Sequence, residues 1–160
     1  MQPFASSDPK YQLWALLAQA RRALLNVRQK ELKPYGISAK KSALIRAVEA
    51  MTDRTATPAE ISRWLFREPH TISELVTRME RQGLVSRAKN LDSKKLVRVS
   101  LTEKGREICN QSKKLGSIRR ILSCLSEEEQ QQLLSYLFRL REEALKELGI
   151  KYKLPFPTSE

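Results

Sequence analysis

The sequence predicts a mainly α-helical chain with one small β ribbon, and three observations carry that expectation. Apolar residues recur at helical spacing along most of its 160 residues. Two proline-led helix starts lie close together near the middle. The period then changes from 3.6 to 2 over one stretch, 84–101. At 41% hydrophobic the chain can build a core. Its length suits one domain, or one domain with supporting helices.

Residues 1–9 hold two prolines and small polar residues and read as a flexible arm. From Tyr11 a helix begins, with Leu13, Leu16, Leu17, Ala20, Leu24 and Val27 on one stripe. Tyr11, Trp14, Ala18 and Leu25 form a second stripe, so this helix needs two packing partners. It ends near Lys33-Pro34-Tyr35-Gly36. A second helix runs from about Ser38 to Met51, with Leu44, Ile45 and Val48 inward.

Thr57-Pro58-Ala59-Glu60 is a capping box with proline at the first helical position. The short helix it opens puts Ile61, Trp64 and Leu65 on one face. Glu68-Pro69 starts the next helix, which buries Ile72, Leu75, Val76 and Met79 and stops at Gly83. Its other face shows His70, Thr71, Ser73, Glu74, Thr77, Arg78 and Arg81. Two helices joined this tightly suggest a helix-turn-helix.

Beyond Gly83, Val97, Val99 and Leu101 alternate with Leu96, Arg98 and Ser100. Leu84 to Lys89 can pair with them across a turn of Asn90, Leu91, Asp92 and Ser93. The hairpin carries Arg87, Lys89, Lys94, Lys95 and Arg98 against Asp92. A basic two-stranded ribbon directly after a helix-turn-helix is a wing. Thr102 then caps one long helix, roughly Glu103 to Leu125, and Ser126-Glu127-Glu128-Glu129 is a second capping box. The last helix reaches about Leu148, again with two apolar stripes, and Gly149 ends it.

The charge is strongly basic, 30 Lys and Arg against 18 Asp and Glu. The excess is +4 over residues 1–37, +7 over 38–106 and +1 over 107–160. A basic middle between more balanced flanks points to an anionic partner, nucleic acid before a membrane surface. Two cysteines and one histidine cannot form a four-ligand structural zinc site in one chain, and no metal or cofactor is expected. No phosphate-cradling glycine motif and no catalytic triad is readable, so an enzyme is not expected. No apolar run reaches a membrane span, and the N-terminus lacks a signal pattern, which predicts a cytoplasmic protein.

An α-helix fits the major groove of duplex DNA, where each base pair shows its own donor and acceptor pattern. Residues 69–82 offer such a helix with a polar outer face. The basic hairpin can reach phosphates or the adjacent minor groove. The bland alternatives are solvated helix and strand charges. A basic RNA-binding protein is a rival reading, but the ribbon has no aromatic on which bases would stack.

Residues 57–106, TPAEISRWLFREPHTISELVTRMERQGLVSRAKNLDSKKLVRVSLTEKGR, resemble the winged helix-turn-helix of the multiple-antibiotic-resistance regulator (MarR) family. TISELVTRMERQGLV, the wing and LTEKGRE are the most telling stretches, and the flanking helices extend the likeness to roughly residues 10–148. The resemblance implies a dimeric transcription factor, usually a repressor, on a pseudo-palindromic operator. It also implies release from DNA by a small aromatic ligand bound between the DNA-binding and dimerisation regions, at residues the sequence does not name. An activator, or a small-molecule receptor with secondary DNA binding, is the rival within this class. REPHTISELVTRMERQGLV with NLDSKKLVRVSLTEKG is similar to members encoded beside reductive dehalogenase genes in organohalide-respiring bacteria.

The resemblance places DNA contacts at Pro69, His70, Thr71, Ser73, Glu74, Thr77 and Arg78 of the recognition helix, and at Arg87, Lys89, Asp92, Lys94, Lys95 and Arg98 of the wing. Family wings usually carry Asp-x-Arg. Here Asp92 matches the Asp and Lys94 takes the Arg position, while counting back from Leu101-Thr102 favours Lys95. Glu74 stands where many members have a basic residue. It suits cytosine N4, or serves as a phosphate-avoiding spacer.

Cys109 and Cys124 read as small buried hydrophobes before redox sensors. Trp14 and Trp64 read as core or dimer packing before ligand contacts. The chain thus divides into an arm and dimerisation helix (1–37), a winged helix-turn-helix (38–106) and C-terminal dimerisation helices (107–160). Helices 10–33, 103–125 and 126–148 are expected to dimerise, since their second apolar stripes would otherwise face water.

Overall fold

The computed structural model describes residues 8–90 and 93–158. Among these residues seven α-helices and three strands follow in the order α1 (Pro9–Leu32), α2 (Ala39–Ala50), β1 (Thr55–Ala56), α3 (Pro58–Leu65), α4 (Pro69–Arg81), β2 (Val85–Asn90), β3 (Ser93–Leu101), α5 (Glu103–Ser112), α6 (Gly116–Leu122) and α7 (Glu127–Glu147). The fold is mainly α with a small antiparallel sheet, as the sequence predicts.

Most helix starts have a readable cause. Asp8 accepts from the Lys10 N–H and Pro9 takes the first helical position, so α1 begins inside the stretch read as an arm; residues 1–7 lie outside the described set. Ser38 caps α2 through the Lys41 N–H. Both predicted capping boxes form, Thr57 with Glu60 and Ser126 with Glu129. Each satisfies two N–H groups that the first helical turn would otherwise leave unpaired.

The core lies between Leu32 and Cys109, where the predicted inward faces of α2, α3 and α4 meet the sheet. Ile72 and Leu75 are buried, and Val76 and Met79 are fully so. Burying each stabilises by roughly 1.5–3 kcal/mol. The sheet order is β1-β3-β2, and Val99 and Leu101 point inward as the alternation predicts. β1 was not anticipated: Thr55 pairs with Ser100 and Ala56 with Val99, and two residues are too few to show a period. β2 and β3 pair from Val85↔Leu101 to Asn90↔Ser93, with a register shift between Lys89 and Asn90. The predicted turn residues Leu91 and Asp92 lie outside the described residues.

Gly105 fixes where α5 meets the sheet. A Cβ there would stand 2.0 Å from the Leu84 carbonyl oxygen. Only glycine admits this approach, which places the α5 N-terminus against the start of the hairpin. Thr102 fastens the same corner. Its N–H donates to the Leu84 carbonyl at 3.1 Å, its hydroxyl donates to the Gly83 carbonyl, and its Oγ1 accepts from the Gly105 N–H at 3.1 Å.

The single helix expected over 103–125 is instead two. α5 ends at Ser112, Leu115 adopts a left-handed φ of 45°, and α6 starts at Gly116. The cause lies in α1. Glu31 accepts from the Ser117 N–H at 2.9 Å and from the Ser117 hydroxyl at 2.8 Å. Arg28 donates to the Ser112 carbonyl at 2.7 Å. These bonds take up backbone groups that a continuous helix would pair internally.

Candidate nucleic-acid interface

The α3–α4 corner sets the position of α4. Phe66 holds a left-handed φ of 51°, and the Arg67 N–H returns to the Ser62 carbonyl at 3.0 Å. The Ser62 hydroxyl donates to the Arg67 carbonyl across the same corner. Glu68 is extended and Pro69 is the first residue of α4, as expected.

The predicted contact face of α4 is outward. Pro69, His70, Ser73, Glu74 and Arg78 are exposed, and Thr71 and Thr77 are half-buried. Thr77 spends its hydroxyl proton on the Ser73 carbonyl at 3.0 Å, leaving its oxygen as an acceptor. Thr71 Oγ1 and His70 Nε2 are 3.4 Å apart. This face therefore presents donors, acceptors and the Arg78 guanidinium on a helix of 13 residues.

The wing cations differ in their surroundings. Arg87 is bound to Glu80 of α4 through Nε at 2.9 Å and Nη2 at 2.6 Å. These hydrogen bonds hold the Glu80 carboxyl below the usual carboxylate range. Arg98 donates Nε to Thr55 Oγ1 at 2.8 Å and lies 3.9 Å from Glu60, so it braces β1 and the α3 cap. Lys89 is exposed. Lys94 and Lys95 stand on β3, with side chains outside the described set, and Asp92 is likewise outside it.

The sequence reading missed Arg28 and Glu31. Arg28 is 8% exposed and bonds Glu31 at 2.6 Å, the Ser112 carbonyl and Ser42 Oγ at 3.4 Å. Its position one turn beyond Leu24 and one before Leu32 was the available signal. The Ser117 N–H, with the Ser117 hydroxyl and Arg28, lowers the Glu31 carboxyl to about 2. Beside this network lies a cavity of about 490 Å³ between α1, α2, α6 and α7. Leu17, Leu24, Ile118, Leu133 and Leu137 line it, with Arg21, Arg28 and Arg46 among its polar walls.

Cys109 is buried, which pushes its thiol up, and Cys124 is exposed. Trp14 is 70% exposed, and Trp64 stacks on Phe156. Among the described residues no cluster of His, Cys, Asp and Glu could hold a metal ion, and no helix is long and apolar enough to cross a membrane.

Residues 38–105 match the family of winged helix DNA-binding domains. The organohalide-sensing transcriptional regulator RdhR, solved with 2,4-dichlorophenol bound, is 26% identical; the alignment covers 99% of this chain and 95% of that one, with a TM-score of 0.87. The chain has the fold of this regulator, and its residues 38–105 match a winged helix DNA-binding domain. AbsC, a MarR family transcriptional regulator from Streptomyces coelicolor, is 21% identical over 86% of this chain and 95% of its own, with a TM-score of 0.80. A cysteine-to-serine mutant of MarR from E. coli, complexed with operator DNA, is 22% identical over 81% and 93%, with a TM-score of 0.75. At those identities the last two likenesses concern the fold. No curated protein matches the chain in sequence. The winged helix match spans α2 to the start of α5, which includes the whole outward face of α4 and the wing.

Proposed function

We propose that the chain is a homodimeric transcriptional repressor that acts in the cytoplasm on a pseudo-palindromic duplex operator and leaves it when a small aromatic ligand binds. The observation that carries this reading is the exposed polar face of α4 beside a basic wing. Pro69, His70, Thr71, Ser73, Glu74, Thr77 and Arg78 are assigned to the major groove. Arg87, Lys89, Asp92, Lys94, Lys95 and Arg98 are assigned to the wing, with Lys94 or Lys95 in the minor groove.

The dimer is supported by apolar side chains in water. Trp14 and Leu16 of α1 and Leu134, Tyr136 and Leu140 of α7 are each more than 40% exposed. A monomer rarely leaves such a surface uncovered. Dimerisation places two α4 helices in successive major grooves about 34–36 Å apart. Ligand control is supported by the cavity between α1, α2, α6 and α7, whose about 490 Å³ lies in the range that holds small molecules. Its three arginines favour a phenolate or another anionic ring.

Fluorescence anisotropy against an enriched duplex library at two salt concentrations tests the reading, with a random duplex as control. Tight binding to an inverted repeat is expected. Replacing both Lys94 and Lys95 by alanine removes four cations from a dimer, so it should weaken binding and flatten its salt slope by up to about 4. Equal binding to all duplexes that vanishes with salt would overturn the assignment.

A further inference from the structure

The tail that follows α7 joins two parts of the molecule. Gly149, at a φ of 66°, ends the helix, and the Ile150 N–H returns to the Leu145 carbonyl at 2.9 Å. The chain then doubles back, and Arg141 within α7 donates to the Pro157 carbonyl at 3.0 Å. Leu145 of α7 and Leu154 of the tail are buried, yet neither belongs to the main core cluster. On its other side the tail meets α3. Phe156 stacks on Trp64 with centroids 5.2 Å apart and planes within 10°, and the Arg63 guanidinium sits 5.2 Å from the Tyr152 ring centroid.

α3 and α4 share one core, in which Ile61 and Val76 are fully buried, so whatever fixes α3 also fixes α4. Interiors packed this closely move as bodies, not by continuous deformation. We infer that residues 150–158 are a strut setting the angle between α7 and the helix-turn-helix, with Trp64 and Phe156 as its positioning residues, and that it thereby selects the half-site spacing the protein accepts. The spacing clause rests on the DNA reading above; the strut itself does not.

The test uses the full chain with Cys109→Ala and Cys124→Ser, spin-labelled through Arg81→Cys on α4 and Glu147→Cys on α7, mixed with excess unlabelled chain so that only pairs within one chain are read. Pulsed dipolar spectroscopy gives the distance distribution. Phe156→Ala should widen it, and Phe156→Tyr, which keeps the stack, should preserve the parent width. Tyr152→Ala is the second variant and should widen it too. In parallel, preference for one inverted-repeat spacing over others should fall by up to about tenfold in Phe156→Ala and return in Phe156→Tyr. Unchanged widths in both alanine variants overturn the strut. Widening in the alanine variants, with a parent chain that binds no duplex, supports the strut and overturns the DNA reading instead.

Discussion

Glu80, near the end of α4, and Arg87, on the first wing strand, are joined through one carboxylate oxygen that accepts two guanidinium N–H groups at 2.9 and 2.6 Å. The bond ties α4 to the wing, and it also occupies a cation that faces the same side as Lys89. Glu80→Gln should release Arg87 toward phosphate. Binding to a random duplex should tighten, and the dependence of log affinity on log salt should steepen by up to about two, one for each protomer of a dimer. Anisotropy titrations at four salt concentrations measure it. An unchanged slope would mean that Arg87 does not reach the backbone.

Gly105→Ala should destabilise the chain by about 2–3 kcal/mol. The new Cβ would collide with the Leu84 carbonyl, a backbone atom that cannot rotate away. Urea unfolding followed by circular dichroism reads the loss as a lower midpoint at unchanged slope. Gly36→Ala is a useful contrast: its added Cβ meets nothing within 4 Å, so any cost there comes from its φ of 69° alone.

Glu31 gives the fold a defined acid dependence. Its carboxyl is lowered from 4.5 to about 2, so the unfolded chain binds the proton more readily. The stabilisation is therefore complete above about pH 4.5 and is lost as pH falls through about 2. Allowing for partial exposure, it amounts to roughly 2 kcal/mol. The difference in unfolding free energy between the parent and Glu31→Gln should be flat near neutrality and shrink below pH 4.5. A difference that stays constant down to pH 2 would count against the Ser117 contacts.

Cys109 should resist alkylation in the native protein and react once denaturant is added. Burial removes it from solvent and disfavours its thiolate, which is the nucleophile. Mass spectrometry of the peptide after timed iodoacetamide exposure checks this. Rapid native labelling at Cys109 would reopen it as a redox sensor.

The helix starts were legible because each is local chemistry. Thr57-Pro58-Ala59-Glu60 and Ser126 with Glu129 need only their own four residues to pair their first N–H groups. The outward face of α4 was legible for a related reason, since Ile72, Leu75, Val76 and Met79 fix the opposite face by period. The break at Leu115 was hidden because it depends on Glu31, which takes the Ser117 N–H across 86 residues. Arg28 was hidden too, since a basic residue on an apolar stripe reads as a surface residue until its carbonyl partner is known. The bracing of Arg98 against Thr55 depends on β1, a strand too short to announce itself.

The sheet order has a consequence for how the protein keeps company with itself. β3 lies between its two neighbours, so only the outer margins of β1 and β2 offer unsatisfied ladder groups. β1 is two residues long and is followed within two positions by Pro58, which has no N–H to donate. The margin of β2 carries Arg87 and Lys89, both exposed. An incoming strand meets too short a template on one flank and repelling charge on the other. Association through fibrillar strand addition is thereby discouraged, and the contacts left open between copies are those made by helices.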